Sequence, residues 1–435
     1  MTIIRLRMRI SRSFALCAAV LAAQACRDAG ARTTLSEPET VSAATTVGAA
    51  PMFALSPGGK RAVAWVSAPD GGTDGRLYVT AGGAPTELRD SLGPIEPHGE
   101  APPKMSYGPD GMLYALYAVG KVVPGRRFPM SSLRLAKSAD DGRTWSAPVT
   151  IASDSAFGTR NFHAMHVGGD GSLYVAWLES ARGESKTFLT RSTDAGTTWT
   201  TPVLADTTQS CPCCRTAIAT ARDGTLYLAW RTVLPGNVRD VVVARSEDHG
   251  ATWATPVRVH ADNWVFDGCP HAGPSMQVDS AGTVHIAWWT GKQGSAGAFY
   301  ARSTDKGETF GQPVALGAAE FSAPAHVQLA LGTEGTVVAV WDDGTVKTPK
   351  VVMRVSHDHG ASFGSATLVS AEGRAATFPV LALAGKELTI AWSEQSQAEH
   401  DHEQAMAPNM KDPKAVKGLS RVGESAVRVR SGRLE

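Results

Sequence analysis

Neither sign of charge dominates this sequence. Its 42 Lys and Arg face 41 Asp and Glu across 435 residues, a formal net of +1. Bulk electrostatics therefore gives a nucleic-acid partner no support. Charged residues amount to only 19% and hydrophobics to 43%, which excludes a coiled coil or a mostly disordered chain. Long apolar runs are missing too. The stretch Phe14 to Ala23 has ten residues, about half of the roughly 20 that a bilayer span requires. Cysteine is scarce, six in all, whereas Gly (44) and Pro (25) are plentiful. That balance suits a turn-rich β protein. The length leaves open one large repeat domain or two to three ordinary ones.

The short apolar run has a context. Arg5, Arg7, Arg9 and Arg12 precede it and Ala23-Gln24-Ala25 follows it, the order of a cleavable secretory signal. A buried N-terminal element is the alternative. Residues 1–25 are thus expected to be a signal peptide. Their loss removes four Arg and no acid, leaving 38 basic against 41 acidic residues, a net of −3. Cys26 then stands first, and the segment resembles a bacterial lipoprotein signal, in which that Cys carries the lipid. Leu is usual where Ala23 stands, so simple cleavage before Cys26 remains the rival. The resemblance implies an exported chain, periplasmic or held at the outer membrane by a lipid, or otherwise secreted. Residues 26–45, rich in Ala, Thr, Ser and Glu, read as a tether, and 46–435 as the folded domain.

A repeat runs through that domain. The octets SADDGRTW from Ser138, STDAGTTW from Ser192, SEDHGATW from Ser246, STDKGETF from Ser303 and SHDHGASF from Ser356 follow one another at 54, 54, 57 and 53 residues. A second element keeps step. It is a turn, then an alternating apolar strand that ends at Trp65, Tyr117, Trp177, Trp230, Trp288, Trp341 or Trp392. Seven copies predict seven four-stranded blades in an all-β propeller. Blade 4 is predicted to use Thr216–Ala221, Thr225–Trp230, Asp240–Arg245 and Pro256–Val259. Blade 7 reaches only its third strand before the chain stops. Its outer strand is expected from residues 42–50, so that the two ends of the chain close the ring and remove open sheet edges.

The octet resembles the Asp-box, or BNR repeat, of the sialidase-like β-propellers, and the resemblance covers residues 50–435. It implies structural work for Asp140, Asp194, Asp248, Asp305 and Asp358, on the rim away from any ligand. It also implies six blades, the alternative to the count of seven.

Strand order then sorts the loops. Connections leading into each innermost strand share the upper face with the loops between second and third strands, and the boxes take the lower face. The lead-in loops hold His98 for blade 2, Arg160 and His163 for blade 3, and Cys211, Cys213, Cys214 and Arg215 for blade 4. Cys269 and His271 lead into blade 5 and His326 into blade 6, with Trp264 beside them. All four Cys beyond Cys26 fall in this set, and they are expected to gather at one channel mouth. In an oxidising compartment they suit disulfides, Cys269 with Cys213 or Cys214. Soft thiolates and imidazoles equally suit copper(I) or zinc, and a redox pair is the third reading. In blade 7 the distance from Trp392 to Ser431 is 39 residues where 15 or 16 is usual. This insertion, at about 395–420, carries His400, His402, Met406 and Met410. It reads as a mobile polar loop or as further soft ligands over the cluster.

A sialidase would need an arginine clamp for a carboxylate, with Arg160, Arg215 and Arg231 as candidates. Glu179, Asp342 and Glu394 could supply carboxylates. The Arg-Ile-Pro motif of that family is absent, and no Tyr–Glu nucleophile pair can be assembled. The sequence thus supports an exported propeller with a Cys/His-rich site for a small molecule, glycan or metal. A sialidase-type hydrolase and a scaffold for an envelope protein are the alternatives.

Overall fold

The computed structural model describes residues 33–42, 47–68, 74–121, 123–124, 130–151, 157–181, 184–406 and 425–435. The expected signal peptide, Cys26 and Met410 lie outside the described residues. Seven antiparallel sheets follow one another along the chain. Blade 1 spans Val47–Leu55 to Thr86–Leu88, blade 2 Lys104–Tyr107 to Val149–Thr150, and blade 3 Arg160–Val167 to Val203–Leu204. Blade 4 runs from Ala217–Thr220 to Val257–Arg258, blade 5 from Ser275–Val278 to Val314–Ala319, and blade 6 from Gln328–Leu331 to Thr367–Leu368. The innermost strands touch in order around the ring, and blade 7 closes against blade 1. The count of seven stands, against six for the sialidase-like family.

The core confirms the ring independently. Seven apolar clusters fill the seven gaps between neighbouring sheets, from Val66 and Leu77 against Met105 and Tyr117 to Trp65 against Ala391 and Val427. Both faces of each sheet are therefore buried, which explains near-continuous apolar second strands such as Leu226–Arg231. The repeated Trp has a defined partner in three blades. Trp65 stacks on Tyr78, Trp177 on Phe188 and Trp288 on Phe299, with centroids 5.9–6.0 Å apart. Each pair sits directly cross-strand, where aromatic pairs stabilise a sheet by about 1 kcal/mol.

Blade 7 consists of Ala375–Ala384, Glu387–Gln395 and Ser425–Arg433, completed on the outside by Thr34–Leu35 and Glu39–Thr40. The chain ends thus close the ring as expected, but through residues 34–40 rather than 42–50. Residues 47–55 are instead the innermost strand of blade 1. The blade 7 insertion is not all loop, because Gln397–Met406 is helical. Ser396 and Glu399 form its capping box, with the Ser396 Oγ and N both bonded to Glu399 Oε2. No helix among the described residues is long and apolar enough to cross a membrane.

Every box repeats one hydrogen-bond set. In the box of blade 4 the Ser246 Oγ donates to Asp248 Oδ1 at 2.7 Å and accepts from the Gly250 amide at 2.8 Å. Asp248 also accepts from the Thr252 amide and hydroxyl. His249 and Gly250 take φ of 60° and 89°, the left-handed pair that this turn needs. Bonds from Thr252 hold the Asp248 carboxyl down to about 2. Asp140, Asp194, Asp305 and Asp358 sit in the same arrangement.

Candidate functional site

The upper lead-in loops converge. An eighth apolar cluster, separate from the seven between blades, contains Cys211, Cys213 and Cys214 with Phe162, Val233 and Cys269 packed on it. The Cys211 Sγ lies 3.8 Å from Cys213 Sγ and 3.7 Å from Cys214 Sγ. No disulfide links any of the four Cys, so the bridge from Cys269 to Cys213 or Cys214 is not formed. Two triads of ligand atoms result, each with all members within 4.8 Å: Cys211, Cys213 and Cys214, and Cys213, Cys269 and His271.

Local chain geometry explains the convergence. The Cys211 amide bonds to the Arg231 carbonyl at 2.8 Å, which pins the Cys loop to the end of the second strand of blade 4. The side chain of Arg239, from the adjoining loop, reaches Cys211 Sγ at 3.3 Å. Hydrogen bonds from the Cys213 and Cys214 thiols, with Arg231 and Arg239 nearby, pull the Cys211 thiol well below its usual range. Burial and the charge on Cys211 push Cys214 up.

Beside the cysteines lies a polar hub. Glu100 Oε1 accepts from the Arg215 amide at 3.0 Å and the Gly273 amide at 2.6 Å. Its other oxygen is 3.6 Å from both Arg215 Nη1 and His326 Nε2. His326 Nδ1 is 2.6 Å from Asp342 Oδ2, and its Nε2 is 3.0 Å from the His271 carbonyl. Carbonyl and carboxylate both accept, so each ring nitrogen carries a proton. Burial opposes that charge, but Asp342 and then Glu100 outweigh it and raise the imidazole.

Two backbone irregularities shape the mouth. Register shifts interrupt the innermost strands between Asn161 and Ala164 and between Thr377 and Val380. They leave Phe162 and Phe378 each at φ 53°, a conformation that bulky residues avoid. Phe378 lies tilted against His326 at 4.1 Å, and Phe162 lies against His98 and His271 at 5.5 and 6.4 Å. His98 and His271 open onto the mouth. Yet they sit deep in the ring, and loss of water lowers both, His98 to about 4, with repulsion from His271 and His326 adding to it at His98 and from His326 at His271.

The structure distributes the remaining candidates elsewhere. His163 is fully buried with neither nitrogen hydrogen-bonded, and burial lowers it to about 3; it belongs to neither triad. Arg231 is fully buried, and its guanidinium donates to the carbonyls of Arg239, Ala272 and Trp289. It also lies 5.4 Å over the ring of Trp264. Arg215 holds Glu100 and the Val327 carbonyl, and Arg160 holds Glu179 at 3.2 Å. Each arginine thus has its own partners. Glu179 and Glu394 accept the indole N–H of Trp177 and Trp392, two residues before them. His400 meets Gln395 at 3.4 Å and is in neither triad. His402 and Met406 fall in the helix, their side chains outside the description.

Glu100, Arg239 and Phe378 escaped sequence reasoning. Glu100 stands two residues after His98, inside a loop already singled out. Arg239 lies in the one loop that is a residue longer than its counterparts, 16 against 15.

Residues 96–265 match the family described as a BNR repeat-like domain. Solved structures share the fold. An ulvan lyase described as a polysaccharide lyase of family PL25, bound to -[GlcA(1-4)Rha3S]-, is 12% identical, with 81% of this chain and 93% of that one covered at a TM-score of 0.56. A protein of unknown function from Dyadobacter fermentans is 16% identical over 93% and 99% at 0.53. A Hadza microbial sialidase is 18% identical over 77% and 74% at 0.48. No curated protein matches the sequence. The described residues form a β-propeller of seven blades, and residues 96–265 of it match the BNR repeat-like domain.

Proposed function

We propose that this propeller is an exported protein of the periplasm or outer membrane that holds a soft transition-metal ion, copper(I) or zinc, at the upper mouth of its channel. One observation carries the reading. The sulfurs of Cys211, Cys213 and Cys214 are spaced at 3.7 and 3.8 Å. Four thiolates around a metal at about 2.3 Å sit about 3.8 Å apart along each edge of the tetrahedron. A disulfide would bring two of them to about 2.0 Å. The Arg239 guanidinium, 3.3 Å from Cys211 Sγ, favours the thiolate form that a metal needs.

The test is elemental analysis with thiol counting on mature protein purified without oxygen. The expected result is bound copper or zinc, with Cys211, Cys213, Cys214 and Cys269 all titrating as thiols after chelation. Two disulfides and no metal would remove the reading.

A second reading rests on the open mouth itself. His98, Phe162 and His271 present imidazole and phenyl surfaces beside buried Arg215 and Glu100, a setting suited to a carbohydrate ligand. Binding of acidic oligosaccharides, followed by titration calorimetry and lost on His98→Ala, would support it. Sialoside hydrolysis by the wild type would instead bring back the sialidase-type reading.

A further inference from the structure

Cys213 belongs to both triads. It is within 4.8 Å of Cys211 and Cys214 on one side, and within 4.8 Å of Cys269 and His271 on the other. The five donors do not fall into one group; they form two groups of three joined at a single sulfur. We infer that the mouth holds two copper(I) ions bridged by the Cys213 thiolate, an inference that rests on the metal-binding reading above. One ion is held by Cys211, Cys213 and Cys214, the other by Cys213, Cys269 and His271.

Donor number and charge favour copper(I) over zinc. Each ion receives three protein ligands, all three of the inner set being buried sulfurs of a single Cys-Pro-Cys-Cys loop. Zinc in a closed thiolate site takes four, one more than either set offers, and soft thiolates hold copper(I) as well. Four thiolates carry a charge of −4. Arg239, 3.3 Å from Cys211, and Arg231, whose charge acts on both Cys211 and Cys214, bring +2. Two copper(I) ions complete neutrality, whereas two zinc ions would leave a buried excess of about +2, which a low-dielectric site penalises. Loading releases one proton from each thiol that was protonated, and copper stays in the same oxidation state, so no oxidant is consumed. The two sets also differ in access. Cys211, Cys213 and Cys214 are buried, whereas Cys269 is half-buried and His271 exposed. The outer ion, on His271, is therefore the one open to exchange with a partner, and the inner ion is the anchored one.

Anaerobic titration of the reduced full-length mature chain with copper(I), buffered by a coloured chelator, tests this. Two equivalents are expected to bind, and X-ray absorption should show a copper–copper path. Cys269→Ser is expected to remove one equivalent and keep the other. Cys213→Ser should weaken both by at least tenfold. One equivalent in the wild type, unchanged by Cys269→Ser, would overturn the bridged pair and leave the single-ion reading intact. Two equivalents without a copper–copper path would overturn the bridge. No bound copper would overturn the metal-binding reading itself. Thermal melts of the metal-free variants separate ligand loss from misfolding, and the absorption measurement needs no variant.

Discussion

His326 and Asp342 face each other with Nδ1 and Oδ2 only 2.6 Å apart, and the same carboxylate also takes the backbone amides of His326 and Phe378. One acid on the second strand of blade 6 therefore ties together the lead-in to its own blade and the bulged strand of blade 7. Its partner then touches the carbonyl of His271. Removing one member of such a buried pair typically costs 3–5 kcal/mol. Asp342→Ala is expected to lower unfolding stability by about that much, read by urea denaturation. His326→Gln should cost less, because its amide can still donate to Asp342. Equal losses in the two variants would refute this account.

Arg231 makes a similarly sharp prediction. Its guanidinium reaches three carbonyls from Arg239, Ala272 and Trp289 while stacked near Trp264. A Lys ammonium is a point donor and lacks the planar fork. Arg231→Lys is thus expected to behave nearly as badly as Arg231→Met. Each should lose several kcal/mol, because buried carbonyls are left unpaired at about 1–3 kcal/mol apiece. Melting curves of the two variants side by side decide it; full stability in Arg231→Lys would show that charge alone suffices.

The boxes respond to acid in a defined direction. Asp248 is held at about 2, below its ordinary 3.8. A depressed folded value means the carboxylate stabilises the fold above the unfolded value. That contribution is lost as pH falls from about 4 through 2. Asp248→Asn should therefore destabilise the protein by about 1 kcal/mol near neutrality. The gap from wild type should narrow as pH drops toward 2. A gap independent of pH, measured by chemical denaturation at several pH values, would contradict the hydrogen-bonded carboxylate.

Deleting residues 33–42 is expected to bare the edge of Ser425–Arg433, which now pairs with Thr34–Leu35 and Glu39–Thr40. An open strand edge recruits other chains. Light scattering and size exclusion should show oligomers or aggregates in the shortened chain and a monomer in the intact one. A monomeric, equally stable shortened chain would mean that three strands suffice for this blade.

Much of the ring was legible in the sequence because its signals are local and repeated. Each box is one turn with its own hydrogen bonds, and each second strand carries its Trp at a fixed spacing. The gathering of Cys211, Cys213, Cys214, Cys269 and His271 followed from loop placement alone. Other features escaped because their cause is not local. Thr34–Leu35 and Glu39–Thr40 are two residues each, too short to show alternation, and they become strands only against Ser425–Arg433. Glu100 matters through amides of Arg215 and Gly273, more than a hundred residues away. The helix at Gln397–Met406 has a legible capping box, but the length of the insertion drew the reading toward loop.

The pairing of Thr34 with Arg433 joins positions separated by almost the whole chain. Bringing such distant segments together costs chain entropy before any contact repays it. The first residues of the domain to be synthesised must therefore wait for the last. Until Ser425–Arg433 is available, blade 7 lacks the strand that joins it to Thr34–Leu35, and the period of greatest vulnerability to proteases and to misassociation is set by when that strand arrives rather than by how fast any single blade folds.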